Sequence, residues 1–143
     1  MNLCTHKAGM YTSGEGVNFC IIREELVLLQ QRDEHCPHYP LWWCIPGGAK
    51  VPRETYAAAA VREIQEEYAL VVSDDDLVLI AHRPSNNPGQ VFVVKAPLNA
   101  TPTMREGRAM KWLPIGKLHE IKLGFNQSEF IVPDLHNWFS SQS

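Results

Sequence analysis

Apolar residues fall into short, partly β-branched runs before residue 50 and after residue 76, with a small-residue helical pattern between them. Val17 to Arg23 and Leu26 to Gln31 are two such runs separated by Glu24-Glu25, which predicts a β-hairpin. Residues 32–40 are polar and carry prolines, so a loop is expected there before an aromatic strand from Leu41 to Ile45. That strand stops at Pro46-Gly47-Gly48, where a fixed φ followed by two unrestricted residues predicts a sharp turn. Glu54 and Thr55 then open a helix. Ala57 to Val61 give it high propensity and a thin face that can lie close to a sheet, and its end is expected near Tyr68. Asp74-Asp75-Asp76 reads as a solvated acidic loop. Leu77 to His82 and Val91 to Lys95 are strands joined by a flexible loop, and Ala109 to Leu113 is a further strand. Pro114 to Glu120 predicts a short helix, and Gln127 to Phe139 a final one broken at Pro133. Strands, helix, strands, helix is the order of a mixed sheet flanked by helices, an α+β or α/β sandwich.

The 143 residues, 45% hydrophobic, suit one domain over the whole chain, with no linker or low-complexity run to divide it. Apolar stretches fall far short of the roughly 20 residues that span a bilayer, and the first ten residues lack an apolar signal core. A soluble, cytoplasmic protein with no membrane partner is expected. Lys and Arg number 13 against 16 Asp and Glu, a net charge of −3 with no basic run, which argues against a nucleic-acid polymer as partner. A small anionic substrate needs only local positive charge. Arg32 and Arg83 are candidates for it, against the ordinary reading of lone arginines as surface residues. Cys4, Cys20, Cys36 and Cys44 have no CxxC spacing and are read as reduced, mostly structural thiols. His35-Cys36-Pro37-His38 is read as a loop with chance metal ligands, there being no fourth partner elsewhere.

The chemistry concentrates in the central helix. At about 100° per residue, Glu63, Glu66 and Glu67 fall at about 0°, 300° and 40°, so three carboxylates share one arc of the helix. Like charges that close raise one another's pKa unless a cation sits among them. Oxygen-only donors favour Mg²⁺ or Mn²⁺, and magnesium in particular is commonly held by a few carboxylates together with substrate phosphates. The competing reading is a solvated Glu-rich face on which Arg62 and Glu66 form an ordinary i, i+4 pair.

The residues around the cluster separate these readings. Gly48, Glu54, Arg62, Glu63, Ile64, Glu66, Glu67 and Leu70 resemble the signature of the Nudix hydrolases, at every defined position but one. The exception is Ala69, where that family has a glycine that closes the helix. Alanine there costs about 1 kcal/mol or more if left-handed, so the turn is expected to adjust or to continue helically for a residue. The resemblance implies the Nudix fold and Mg²⁺- or Mn²⁺-dependent hydrolysis of a diphosphate bond in a nucleoside diphosphate linked to some group X. It implies as metal ligands Glu63, Glu66, Glu67, the Gly47 carbonyl and Glu106, a loop residue facing the helix. Glu63, Glu66 and Arg62 become the catalytic candidates, one of the two glutamates as general base and Arg62 with Glu54 as braces behind the carboxylates, with Gly48 opening the motif. Arg32 matches a phosphate-contacting arginine. Trp43 falls at a tryptophan position of the family, as core or pocket wall, and strand alternation leaves Trp42 to stack on a base.

Substrate choice is the quieter part of the sequence. Size leans toward a pyrophosphohydrolase of nucleoside triphosphates or modified nucleotides; ADP-ribose, nucleotide sugars and dinucleoside polyphosphates are the alternatives. A catalytically silent Nudix-fold binding module is the alternative of another class, and the intact acidic positions stand against it. A structural domain with an idle helix is the third. Homodimers are frequent in the family, and exposed tryptophans could serve such an interface.

Overall fold

Val17, Phe19 and Ile21 on one side of a strand, and Cys20 and Ile22 on the other, are all buried, so helices must cover both faces of the sheet that contains them. The computed structural model describes residues 14–105 and 107–142. Its strands are β1 (Gly16–Arg23), β2 (Leu26–Gln31), β3 (Trp43–Cys44), β4 (Gly47–Ala49), β5 (Leu77–His82), β6 (Gly89–Lys95) and β7 (Ala109–Pro114). Its helices are α1 (Tyr56–Tyr68), α2 (Gln127–Phe130) and α3 (Val132–Ser140), with 3₁₀ turns at Asp74–Asp76 and Ile115–Glu120. Among these residues no helix is long and apolar enough to cross a membrane.

The strands form one mixed sheet in the order β3-β2-β1-β6-β5, with β4 added to β1 and β7 to β2. Among the described strands only β1 and β6 run parallel, from Gly16 opposite Gly89 to Ile22 opposite Lys95. On one face Val17, Phe19, Ile21, Leu28 and Phe92 meet Ala59, Ala60, Ile64 and Tyr68 of α1. On the other, Cys20, Ile22, Val27 and Leu29 meet Ile115, Leu118 and the C-terminal helices through Ile131 and Leu135. Burial of each such large side chain contributes about 1.5–3 kcal/mol. This is an α/β/α sandwich, as the order of elements predicts.

The sheet is split where it matters. β1 and β2 pair at their hairpin end, Ile22 opposite Val27 and Arg23 opposite Leu26, and part toward the other end. The following chain fills the gap: β3 pairs with β2, then β4 with β1. Two expectations are corrected here. The strand expected from Leu41 to Ile45 keeps only Trp43 and Cys44 in the ladder, because Tyr39 and Leu41 take positive φ values of 52° and 66° in a turn closed by Trp42 N–H donating to Tyr39 O at 3.3 Å. The turn expected at Pro46-Gly47-Gly48 is instead extended, and Gly47 to Ala49 form a strand. A third correction concerns the thiols. Cys36 is disulfide-bonded, while Cys20 and Cys44 are free and Cys4 lies outside the described residues.

Candidate active site

Helix α1 begins where Thr55 Oγ1 accepts the Ala58 N–H at 3.0 Å. Glu54 stands just outside it, its Oε1 accepting from Val51 N–H at 3.0 Å. Arg62, two turns further on, reaches back with Nε to Glu54 Oε2 at 2.8 Å and Nη2 to Oε1 at 2.9 Å. That fork is a bidentate, charge-assisted pair. The same guanidinium donates to Ala49 O at 3.0 Å, to Glu63 Oε1 at 2.9 Å and to Glu66 Oε2 at 3.5 Å. Arg62 therefore ties β4, the residue before the helix and two helix carboxylates into one network. Its hydrogen bonds with Glu54 raise its already high pKa, and hold the Glu54 carboxyl below the usual range.

The two glycines of β4 serve through their missing side chains rather than through a turn. A Cβ on Gly48 would stand 2.7 Å from Glu63 Cγ and closer still to its carboxyl group; one on Gly47 would stand 2.7 Å from Asn18 Nδ2. Glu63 thus lies flat on the strand, with 0% of it exposed. Glu67 is 1% exposed and borders a cleft, whereas the Glu66 side chain is 38% exposed. Glu63 and Glu66 both accept from Arg62. Among the described residues no group of three or more His, Cys, Asp or Glu side chains stands ready to hold a metal ion. Glu106 lies outside the described residues. Its neighbour Arg105 donates its backbone N–H to Glu67 O at 2.8 Å, and Thr103 does the same to Tyr68 O at 2.9 Å. Residues 103 and 105 are thereby fastened along the end of α1.

Ala69 behaves otherwise than expected. It neither relaxes nor continues the helix, but takes φ 57° and ψ 32°, the left-handed conformation, with its N–H donating to Gln65 O at 3.0 Å. Backbone hydrogen bonding holds it there despite the Cβ.

The cleft has a volume of about 840 Å³ and follows the split between β1 and β2. Gly47, Gly48 and Glu67 border it, and so do both predicted arginines. Arg83 is steered by Asn87, whose carbonyl accepts from Nε at 3.1 Å and whose Oδ1 accepts from Nη2. A Cβ on Gly16 would stand 3.2 Å from Arg83 Cζ and nearer still to Nη1. Arg32 donates through Nε to His38 O at 2.9 Å, and its guanidinium lies 4.6 Å from the centre of the Phe125 ring. Burial lowers the pKa of each arginine, though arginine keeps its charge at neutral pH. Cys44 is on the cleft floor, its thiol pushed up to about 11 by burial, so it is a neutral thiol there.

Trp42 does not border the cleft. It packs edge-on against Tyr39 at 5.1 Å, and Tyr39 in turn meets Phe125 at 4.7 Å. Trp43 packs against the core, with Lys111 Nζ 4.2 Å from its ring. The aromatic wall is made instead by Tyr39, Phe125 and Phe130. None of these was picked out from the sequence. Gln127 also escaped notice. Its amide holds both backbone groups of Ile45, accepting from N–H at 2.7 Å and donating to O at 3.1 Å.

This fold and motif have known relatives. In solved structures the chain resembles a MutT protein from Methanosarcina mazei, at 18% identity and TM-score 0.68 over 93% of this chain and 96% of the other. An Ap4A hydrolase from C. elegans matches at 19% identity and TM-score 0.66 over 90% and 98% of the two chains. The dihydroneopterin triphosphate pyrophosphohydrolase of E. coli matches at 23% and 0.59 over 78% and 88%. At such identities these likenesses speak for the fold. No curated protein matches the sequence itself. The model of the NUDIX domain, however, matches residues 12–133, nearly the entire chain, and so this protein belongs to the Nudix hydrolase family, whose members act on phosphoric anhydrides.

Proposed function

We propose that this protein hydrolyses a diphosphate bond in a nucleoside diphosphate linked to X, with Mg²⁺ or Mn²⁺ as cofactor and a nucleoside triphosphate or modified nucleotide as the favoured substrate. The observation that carries the reading is the meeting, along one cleft, of a buried helix carboxylate, the glycine strand and two arginines. Glu63, Glu66 and Glu67, with the Gly47 carbonyl and Glu106, offer oxygen donors only, which suits a hard divalent ion. Two of these carboxylates are buried, and buried carboxylates are costly unless a cation compensates them. Glu66 is the ligand most easily exchanged from Arg62, its contact being the longest of the guanidinium's. The chemistry such an ion supplies when bound is neutralisation of the bridging phosphates and a more acidic water.

The chain's own residues do the rest. Glu63 or Glu66 takes the proton of the attacking water, and the bond from phosphorus to the leaving oxygen breaks in line with the attack. Arg62, anchored by Glu54, fixes the carboxylates at an orientation set before substrate arrives. Arg32 and Arg83 bind the anionic substrate from two sides. Tyr39, Phe125 and Phe130 receive its base or other group X. ADP-ribose, nucleotide sugars and dinucleoside polyphosphates are served by the same groups and remain the second reading. A small nucleotide as partner and a cytoplasmic site of action belong to this reading, which leaves a homodimer open.

The test is a screen of nucleoside triphosphates, oxidised deoxynucleotides, ADP-ribose, dinucleoside polyphosphates and nucleotide sugars, with and without Mg²⁺ or Mn²⁺, with the products resolved. Release of phosphate or pyrophosphate that disappears in Glu67→Gln is the expected result. Full activity of that variant would sink the metal assignment, and metal-independent turnover would sink the mechanism.

A further inference from the structure

Ile45 lies where the chain leaves the ladder of β2 for that of β1, so its backbone falls between the residues that pair with either strand. Buried backbone groups need partners, and here side chains supply them: Asn18 Nδ2 donates to Ile45 O at 3.4 Å, and Gln127 serves both groups at shorter range. Gln127 opens α2, is 5% exposed, and uses its amide as a strand residue would, accepting from Ile45 N–H at 2.7 Å and donating to Ile45 O at 3.1 Å. A second tie runs beside it, from Gly124 N–H to Trp43 O at 3.0 Å. Both flanks of this junction border the cleft. Phe125, Asn126 and Phe130 stand on the α2 side, and Gly47 and Gly48 on the strand side.

We propose that Gln127 is a positioning residue for the reaction: its amide sets the spacing between the aromatic wall, which receives the base, and the glycine strand, which faces the carboxylates and the phosphates. The inference rests on the reading of the cleft as a nucleotide site. It is also specific to the amide group. A leucine fills similar space but offers no bonds. An ionised carboxylate would accept from Ile45 N–H but repel Ile45 O, whereas a protonated carboxyl carries one acceptor and one donor, as the amide does. Burial raises a carboxyl's pKa. Gln127→Glu is therefore a strut that acid restores.

The experiment compares full-length wild type, Gln127→Leu and Gln127→Glu between about pH 5 and 8. It follows the exchange of the Ile45 amide and the amide shifts of Gly47, Gly48, Phe125 and Asn126 by NMR. It also measures binding of inorganic tripolyphosphate and of the α,β-methylene analogues of purine and pyrimidine nucleoside triphosphates, each with Mg²⁺. Glu15, Arg32, Tyr39, Cys44, Glu67 and Arg83 are the charged or titratable groups that line the same cleft, and the wild-type titration accounts for them. We expect Gln127→Leu to speed Ile45 exchange and to weaken the preferred nucleotide analogue by about 10-fold each, with tripolyphosphate changed by less than about 3-fold. Gln127→Glu should match wild type at the acid end and Gln127→Leu at the alkaline end. Should Gln127→Leu fail to fold, the acid rescue of Gln127→Glu decides alone. Unchanged Ile45 exchange, the absence of a pH response in Gln127→Glu, or equal losses for both kinds of ligand would each overturn the proposal. Failure of the underlying reading looks different: neither kind of ligand binds wild type, and the positioning role falls with it.

Discussion

Arg62 meets three carboxylates, but it serves them unequally. Glu54 receives the bidentate fork, and that hydrogen bonding depresses its pKa. A depressed folded-state pKa means that the unfolded chain binds the proton more readily, so stability rises with pH across that interval. The contribution of Glu54 is thus full above the ordinary carboxylate value of about 4.3 and is lost as pH falls through the depressed one. Glu54→Gln should lower stability by roughly 1–3 kcal/mol at neutral pH and flatten the acid limb, which urea unfolding at stepped pH will measure. Ala69 gives the opposite sign. Its left-handed φ of 57° is borne by a residue with a Cβ, so Ala69→Gly should stabilise by about 1 kcal/mol, raising Tm by a few degrees with turnover unchanged. A lower Tm would mean that the methyl group packs to more advantage than the strain costs.

Between elements, the contact of α1 with β4 sets the site, because it is there that Glu63 lies on Gly48. Gly48→Ala leaves no room for both the new methyl group and the carboxylate. It should cut turnover by about 10-fold or more and cost roughly 1–3 kcal/mol of stability, as overpacking does. Wild-type kinetics in that variant would show that the Glu63 carboxylate need not occupy this position. Much of this element was legible beforehand. The helix, its Thr55 start and the shared face of Glu63, Glu66 and Glu67 follow from spacing along one helix, which local sequence encodes, whereas the Arg62–Glu54 brace was implied by the resemblance to the Nudix signature. The role of Gly47 and Gly48 was misread, since conformational freedom and want of a side chain look identical in a sequence. Tyr39, Phe125 and Gln127 carried no local signal at all. They reach the cleft only because β3, β4 and α2 are brought together across long stretches of chain.

At the scale of the whole molecule, a ligand that binds only the folded state adds about 2.7 kcal/mol at a hundred times its Kd. For a domain of 143 residues this corresponds to roughly 8 °C in Tm. Mg²⁺ or Mn²⁺ should give such a shift in calorimetry, and Glu67→Gln should abolish it while leaving the metal-free Tm near that of wild type. A metal-induced shift that survives in the variant would place the ion elsewhere. The parallel pairing of β1 with β6 has a kinetic consequence. It joins residues on either side of the entire motif helix, and Arg83 stands in the chain just ahead of β6. Contacts of such long sequence separation form slowly, because the loop between them must close first. A chain emerging from the ribosome will therefore hold its glutamate helix well before it holds a cleft, and its ability to bind nucleotide should arrive late, together with the last-closing strand rather than with the motif.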